Sequence, residues 1–230
     1  MSVINEHIFE IRYKPNPKIL DHRGTWAELI SKHMDLSEWM IVENRIDIYD
    51  KEGKNRAFVG FSNAGFVCYD SPTANYFPEK TVKFFRFVLN LEDFGSTPFV
   101  MRIGIRSRFC TAFPGNFEDL CNRYSQRYLI LTEKAQVAIN AKLIDIGGHL
   151  NFVDKHGNFN TMSGPMPNEQ MKQFFSHKKE FPEVGLYYDV DYWLKPEKPV
   201  DGKEIIRLIS TFAEESWKRH ERVRDLILGN

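Results

Sequence analysis

Four segments of this chain place charged residues at every second or fourth position with apolar residues between them: Glu10, Arg12 and Lys14; Glu43, Arg45 and Asp47; Arg102, Arg106 and Arg108; and Asp189 and Asp191. A β-strand sends successive side chains to opposite faces, so each segment puts charge on one side and apolar residues on the other. Together they predict one sheet with a greasy face that must be covered and an ionic face that must meet something.

The rest of the chain supplies the cover. A strand over residues 7–14, with Phe9, Ile11 and Tyr13 on its apolar face, is stopped by Pro15 and Pro17, which cannot donate to a ladder. Trp26, Leu29, Ile30 and Met34 fall at helical spacing over 25–34, with Thr25 placed as an N-cap. Strands are expected over 41–49 and 56–62, joined by a turn from Asp50 to Asn55, and 62–65 reads as a second hairpin turn. A helix over 78–93 carries Val82, Phe84, Phe85, Phe87, Val88, Leu89 and Leu91 around more than half its circumference. Such a helix is covered on two sides, here by the sheet and by another helix or a second subunit.

The arginine-bearing strand is expected over 99–109, with Phe99, Met101, Ile103 and Ile105 inward. Asn116 and Asp119 cap a helix through Tyr128, and 135–153 is β-prone, turning at Asp154 to Gly157 into a strand over 158–162. A short helix over 168–175 precedes the aspartate strand, 186–194, and a Lys-Pro-Glu-Lys-Pro break follows it. Asp201 with Glu204 opens a long last helix through Leu228, whose inner stripe runs from Ile205 and Phe212 to Ile227. His220 falls inside that stripe and reads as a buried neutral imidazole. Elements interleaved without strict alternation, with several hairpins, indicate an α+β fold: an antiparallel or mixed sheet, helices mainly on one face, and a first half ferredoxin-like in its order. At 230 residues the chain reads as one domain over 1–230, divisible into a half over 1–113 and a second half over 114–230 that ends in the long helix.

Composition narrows the functional classes. Lys plus Arg and Asp plus Glu are both 31, which leaves no global field for nucleic acid or an anionic membrane, only local clusters. Cys68, Cys110 and Cys121 form no C-x-x-C pair or disulfide framework, and neither a signal peptide nor a membrane span is read, so the expected setting is a reducing cytoplasm. Seven histidines form no metal-binding or catalytic motif, and Gly147-Gly148 and Gly164-Pro165 lack the strand-to-helix context of a phosphate loop. No cofactor or resident metal is expected, and the balance leans away from an enzyme.

Four readings attach to the ionic face. Arg102, Arg106 and Arg108 pair with Asp189 and Asp191 on a neighbouring strand, or they grip phosphates or carboxylates with their planar forks. Asp189 and Asp191 could also hold magnesium with help from Glu43 or Asp47. Tyr49, Tyr187 and Trp193 fall on the charged faces of their strands, and aromatic residues with arginine form binding hot spots or base-stacking surfaces. Cys110, beside Arg108, reads as a buried structural thiol.

The Glu10-Ile-Arg-Tyr13 strand end followed by proline, the central Arg102-Ile-Gly-Ile-Arg106, the late Asp189-Val-Asp191 and a long C-terminal helix with Phe212 occur in this order along most of the chain. In these features the chain resembles a sporadically distributed family of prokaryotic proteins of unknown function, about 230 to 270 residues long. It departs from that pattern after Arg106, where Ser107-Arg108-Phe109 stands instead of an aromatic and an asparagine. The resemblance implies no activity, and a patchy distribution implies an accessory or defence role. The resulting expectation is a non-catalytic binding or assembly protein that engages a protein partner or forms a homo-oligomer, with candidate residues Arg102, Arg106, Arg108, Asp189, Asp191, Tyr49 and Trp193. The alternatives are a nucleic-acid or nucleotide binder and a metal-dependent phosphoesterase.

Overall fold

A computed structural model describes residues 2–94, 99–131, 133–177 and 180–229. In chain order the elements are β1 (Val3–Tyr13), α1 (Lys18–Asp21), α2 (Arg23–Met34), β2 (Glu38–Val42), β3 (Arg45–Tyr49), β4 (Asn55–Gly60), β5 (Asn63–Tyr69), α3 (Tyr76–Val88), β6 (Val100–Ala112), α4 (Phe117–Arg127), α5 (Glu133–Ile139), β7 (Gly148–Val153), β8 (Asn158–Pro167), α6 (Asn168–Met171), β9 (Val184–Leu194) and α7 (Gly202–Leu228). All nine strands join one antiparallel sheet in the order β2-β3-β4-β5-β1-β6-β9-β8-β7. The fold is therefore α+β. The ferredoxin-like order of the first half is not confirmed, because β5 lies between β4 and β1.

One face carries Phe9, Ile11, Ile46, Ile48, Phe66, Ile103, Ile105, Phe109, Val190 and Tyr192, all buried beneath α2, α3 and α7. The wide apolar arc of α3 has its covers within the chain: α3 packs against α2, α7 and β5 and buries Phe77, Phe84, Phe85 and Val88. Asp201 caps α7 by accepting from the Glu204 backbone N–H at 2.7 Å, and Asn116 caps α4 in the same way from Asp119 at 2.9 Å. Among the described residues the opposite face is covered at one end, where α6 and the residues after it seat Met171 and Phe175 on Cys110, Met166 and Tyr187. No other described element lies over that face.

Several expectations need correction. Residues 41–49 are not one strand but a hairpin, turning at Glu43-Asn44, so Glu43 leaves the ionic face. Its carbonyl instead accepts from Arg23 Nη1 at 2.9 Å. The second hairpin turns at Phe61-Ser62, and residues 63–65 open β5. Gly65 is needed there for packing, since a Cβ would stand 2.5 Å from the Phe58 ring and collide with the Phe9 carbonyl. In β6 a bulge leaves Met101 unpaired between Arg102, opposite Arg12, and Val100, opposite Tyr13. Val100 thereby enters the core while Phe99 and Met101 face out. Helix α2 starts at Arg23 with no side-chain cap, so Thr25 is a helical residue and not its cap. Residues 133–139, rich in the helix formers Glu, Lys, Ala and Gln, form α5 rather than a strand.

Candidate functional site: an arginine-rimmed cradle on the open sheet face

Strand register places the ionic face in rows. Across the sheet, Tyr49, Arg56, Val67, Ile8, Arg106 and Asp191 stand side by side on β3, β4, β5, β1, β6 and β9. The next row runs Asp47, Phe58, Gly65, Glu10, Gly104 and Trp193, and the one beyond it Arg45, Gly60, Asn63, Arg12 and Arg102. On the opposite flank lie Tyr69, Glu6, Arg108 and Asp189. Ile8, Val67, Phe58, Gly65 and Gly104 thus make an apolar, small-residue floor in the middle of a charged surround. The surround and floor enclose a concavity of about 700 Å³, within the range of roughly 300–1,000 Å³ typical of ligand sites.

The pairing of the candidate residues follows from β6 lying beside β9. Arg106 grips Asp189 through Nε (3.1 Å) and Nη2 (2.6 Å), and Arg102 Nη2 reaches both oxygens of Asp191 at 3.0 and 3.1 Å. Arg108 Nη1 donates to Glu6 at 3.4 Å, and its Nε stands 3.8 Å from Asp189. Three further arginines join this set that were not among the expected site residues. Asp47 accepts from Arg45 Nε (3.0 Å) and from Arg56 Nη2 (2.6 Å), while Glu10 accepts from Arg12 Nε and Asn63 Nδ2, both at 2.8 Å.

The vertical order of these charges decides what solvent meets. The side chains of Asp47 and Asp189 are each 4 % exposed and that of Glu6 is 7 %, whereas those of Arg12, Arg106, Arg45 and Arg56 are 55, 43, 34 and 33 % exposed. Asp47, Asp189 and Glu6 form a buried lower layer with guanidiniums over it, whereas Glu10 and Asp191 stay nearer the surface, Asp191 at 30 % exposure beside Arg102 at 21 %. Each guanidinium has five donors in a rigid fork, and Arg106 Nη1 makes no hydrogen bond among the described residues after Nε and Nη2 are used on Asp189. With six arginines to five carboxylates, and the three most buried acids under guanidiniums, the face is cationic where it is touched.

Burial raises the Asp191 pKa against the pull of Arg102, and it raises that of Glu6 although Ser176 and His177 donate backbone N–H groups to it at 2.6 and 3.2 Å. The hydrogen bond to Asp189 raises the Arg106 pKa further. Of the aromatic candidates, Trp193 is half-buried with the Arg102 guanidinium 5.8 Å from its ring, and Tyr49 is half-buried opposite Arg56. Tyr187 is fully buried under Phe174 and Phe175, and its hydroxyl donates to Asp189 at 3.1 Å, so it is not a surface aromatic. Cys110 is buried, and burial pushes its thiol up to about 12.

The arrangement separates the acids proposed to share magnesium. Asp47 lies on β3, five strand spacings from β9, roughly 24 Å from Asp189 and Asp191. Glu43 sits in the turn beyond β3. Calcium- or magnesium-type coordination needs every ligand within about 2.0–2.6 Å of one ion. Among the described residues no group of three or more His, Cys, Asp or Glu is placed to hold a metal ion. No described helix is long and apolar enough to cross a membrane. No protein-family model matches the chain, and no curated protein is significantly similar to it.

Arg12 and Arg45 were legible as face residues from alternation alone. Arg56 and Glu6 were not: Glu6 precedes the expected start of the first strand, and Arg56 stands at a strand end beside the Asp50–Asn55 turn. The signal available for Arg56 was its i+2 spacing to Phe58.

Proposed function

We propose that this protein is a non-catalytic binding or assembly protein of the sporadically distributed prokaryotic family it resembles, and that it engages a protein partner through the open ionic face of its sheet. The observation that carries this reading is the layering at Arg45, Arg56, Arg106 and Arg108: the buried carboxylates of Asp47, Asp189 and Glu6 fix these arginines, and the arginines are what a partner meets. Arginine held in place by an underlying acid loses little side-chain entropy on contact, which is what a binding hot spot requires. Three buried, unpaired cysteines fit a reducing cytoplasm.

A second copy has its own place to dock. Strand β2 is a sheet edge paired only to β3, and Trp39, Met40 and Ile41 are exposed along it without a lysine, proline or bulge to block a neighbouring strand. Antiparallel pairing of two β2 strands about Met40 sets Trp39 against Ile41 of the other copy and keeps both ionic faces on one side. The nucleotide or nucleic-acid reading is favoured by one specific contact, the Arg102 guanidinium over Trp193, a combination that also stacks bases.

The test is native mass spectrometry on protein purified gently at low salt, with absorbance at 260 and 280 nm. A bound protein that the wild type keeps and that Arg12→Gln/Arg45→Gln loses is the expected result. An identical complex in both proteins would move the interface elsewhere, and a bound nucleotide lost by the same variant would replace the protein partner with the second reading.

A further inference from the structure

The partner's chemistry is written in the middle row of the cradle. Arg56 and Arg106 flank Val67 and Ile8, and the three strand intervals from β4 to β6 separate the two arginines by about 14 Å. Val67 is 7 % exposed and Ile8 is half-buried, so the floor between the cations is apolar. Arg45 extends the cationic rim on the Arg56 side, its guanidinium 5.6 Å from the Phe58 ring, and Arg12 closes the rim from the row beyond. Two of the acids that could repel an anion are withdrawn beneath, Asp47 under Arg45 and Arg56 and Asp189 under Arg106, while Glu10 and Asp191 are engaged by Arg12 and Arg102 at the edge of the cradle.

An extended peptide advances roughly 3.3 Å per residue and sends alternate side chains to one side. Residues 1, 3 and 5 of such a peptide therefore share a face, and the outer two lie about 13 Å apart, close to the Arg56–Arg106 separation. Resting on the proposal above that the ionic face is the partner surface, we infer that the cradle takes an extended acidic segment of the form acid-x-apolar-x-acid, laid across β4, β5, β1 and β6. One carboxylate meets Arg56 and Arg45, the central apolar side chain sits on Ile8 and Val67, and the second carboxylate meets Arg106. Charge complementarity selects the acids, and the apolar floor between them selects a peptide over a bare polyanion, which has nothing to place there. Guanidinium forks bind carboxylates bidentately, which sets the spacing as well as the sign.

The probe is a capped, dye-labelled nine-residue peptide centred on Glu-Ser-Leu-Ser-Glu, titrated with the full chain by fluorescence anisotropy at low salt. Binding is expected to weaken at least tenfold when both glutamates become glutamine and at least fivefold when the leucine becomes serine. Arg56→Gln and Arg106→Gln should each weaken it at least tenfold. Because Arg106 also holds Asp189, Ile8→Glu is the variant that removes no arginine and no acid of the face. It places a carboxylate opposite Arg106 on the floor and should abolish binding while circular dichroism and thermal midpoint show a folded protein. Equal affinity for the Glu-to-Gln peptide, or no effect of Ile8→Glu, overturns the inference. An oligo-dT probe bound in place of the peptide overturns it in favour of a phosphate ligand. If neither probe binds but Arg12→Gln/Arg45→Gln still loses its co-purified partner, the acidic-segment inference fails while the ionic-face reading stands; if that complex also survives, both fail.

Discussion

Acid should destabilise this protein well above the pH at which its carboxylates titrate, and two histidines set the size of the effect. His7 and His220 are buried on the helix-covered side of β1 and within α7. His7 Nδ1 lies 2.9 Å from Ser107 Oγ among Phe77, Phe109 and Trp217, and its Nε2 has no partner among the described residues. His220 Nε2 lies 3.0 Å from Thr111 Oγ1, its ring stacks on Phe109 at 4.1 Å, and its Nδ1 is likewise unpaired. Burial lowers both pKa values from 6.5 to about 3, with Arg224 and His7 adding to the shift at His220. A folded pKa below the unfolded one means that the unfolded chain binds the extra proton, so stability is full above pH 6.5 and falls as pH drops through the window from 6.5 towards 3. Between pH 7.5 and 5.0 each histidine should cost about 2 kcal/mol, or about 4 kcal/mol together, at a limiting slope of roughly 1.4 kcal/mol per pH unit each. Glu6 and Asp191, whose pKa values are raised, act with the opposite sign, so the histidine part is isolated by difference. Urea denaturation of the wild type, His7→Gln and His220→Gln at pH 7.5, 6.5, 5.5 and 5.0 measures it. Each variant is less stable than the wild type at pH 7.5 but should lose about half as much on acidification. A pH dependence unchanged by either substitution would refute the reasoning.

Three more outcomes follow from the ion pairs, the packing and the sheet edge. Arg106→Asp should destabilise by about 2–3 kcal/mol, and adding Asp189→Arg should recover part of that loss; a double-mutant cycle in urea with zero coupling energy would deny the pair any role. Gly65→Ala drives a methyl into the Phe58 ring and the Phe9 carbonyl and should cost about 1–3 kcal/mol, read as a lower urea midpoint with unchanged m-value. Ile41→Lys should abolish any concentration-dependent dimer seen by sedimentation velocity without lowering the melting temperature, since Ile41 is exposed on β2; a dimer that survives it does not use this edge.

What could be seen from the sequence was what local chemistry controls. Strict alternation marks Phe9, Ile11 and Tyr13 against Glu10 and Arg12, and both side-chain caps, Asn116 and Asp201, announce their helices. The misses share a cause, which is that the deciding contact lies far along the chain. Phe99, Met101, Ile103 and Ile105 keep an unbroken apolar alternation, and only the pairing of β6 with β1 reveals the bulge that turns Met101 outward. Glu43-Asn44 turns without a glycine or proline, so it passes for strand. Residues 63–65 look like a turn because Gly65 is a glycine, yet it is there to admit Phe58 from the next strand. The arginine and aspartate strands were visible as such, but their adjacency joins residues more than 80 positions apart. The burial of Asp189 under Arg106 depends on that adjacency.

The most direct test is arginine footprinting. Phenylglyoxal modification of the free protein and of its low-salt complex, read residue by residue by mass spectrometry, reports which guanidiniums a partner covers. A partner seated on the ionic face protects Arg12, Arg45, Arg56 and Arg106 in the complex and leaves Arg86 on α3 and Arg207 on α7 unchanged. Protection of Arg86 and Arg207, with the four face arginines still reactive, would place the partner on the helices and contradict the ionic face as the binding surface.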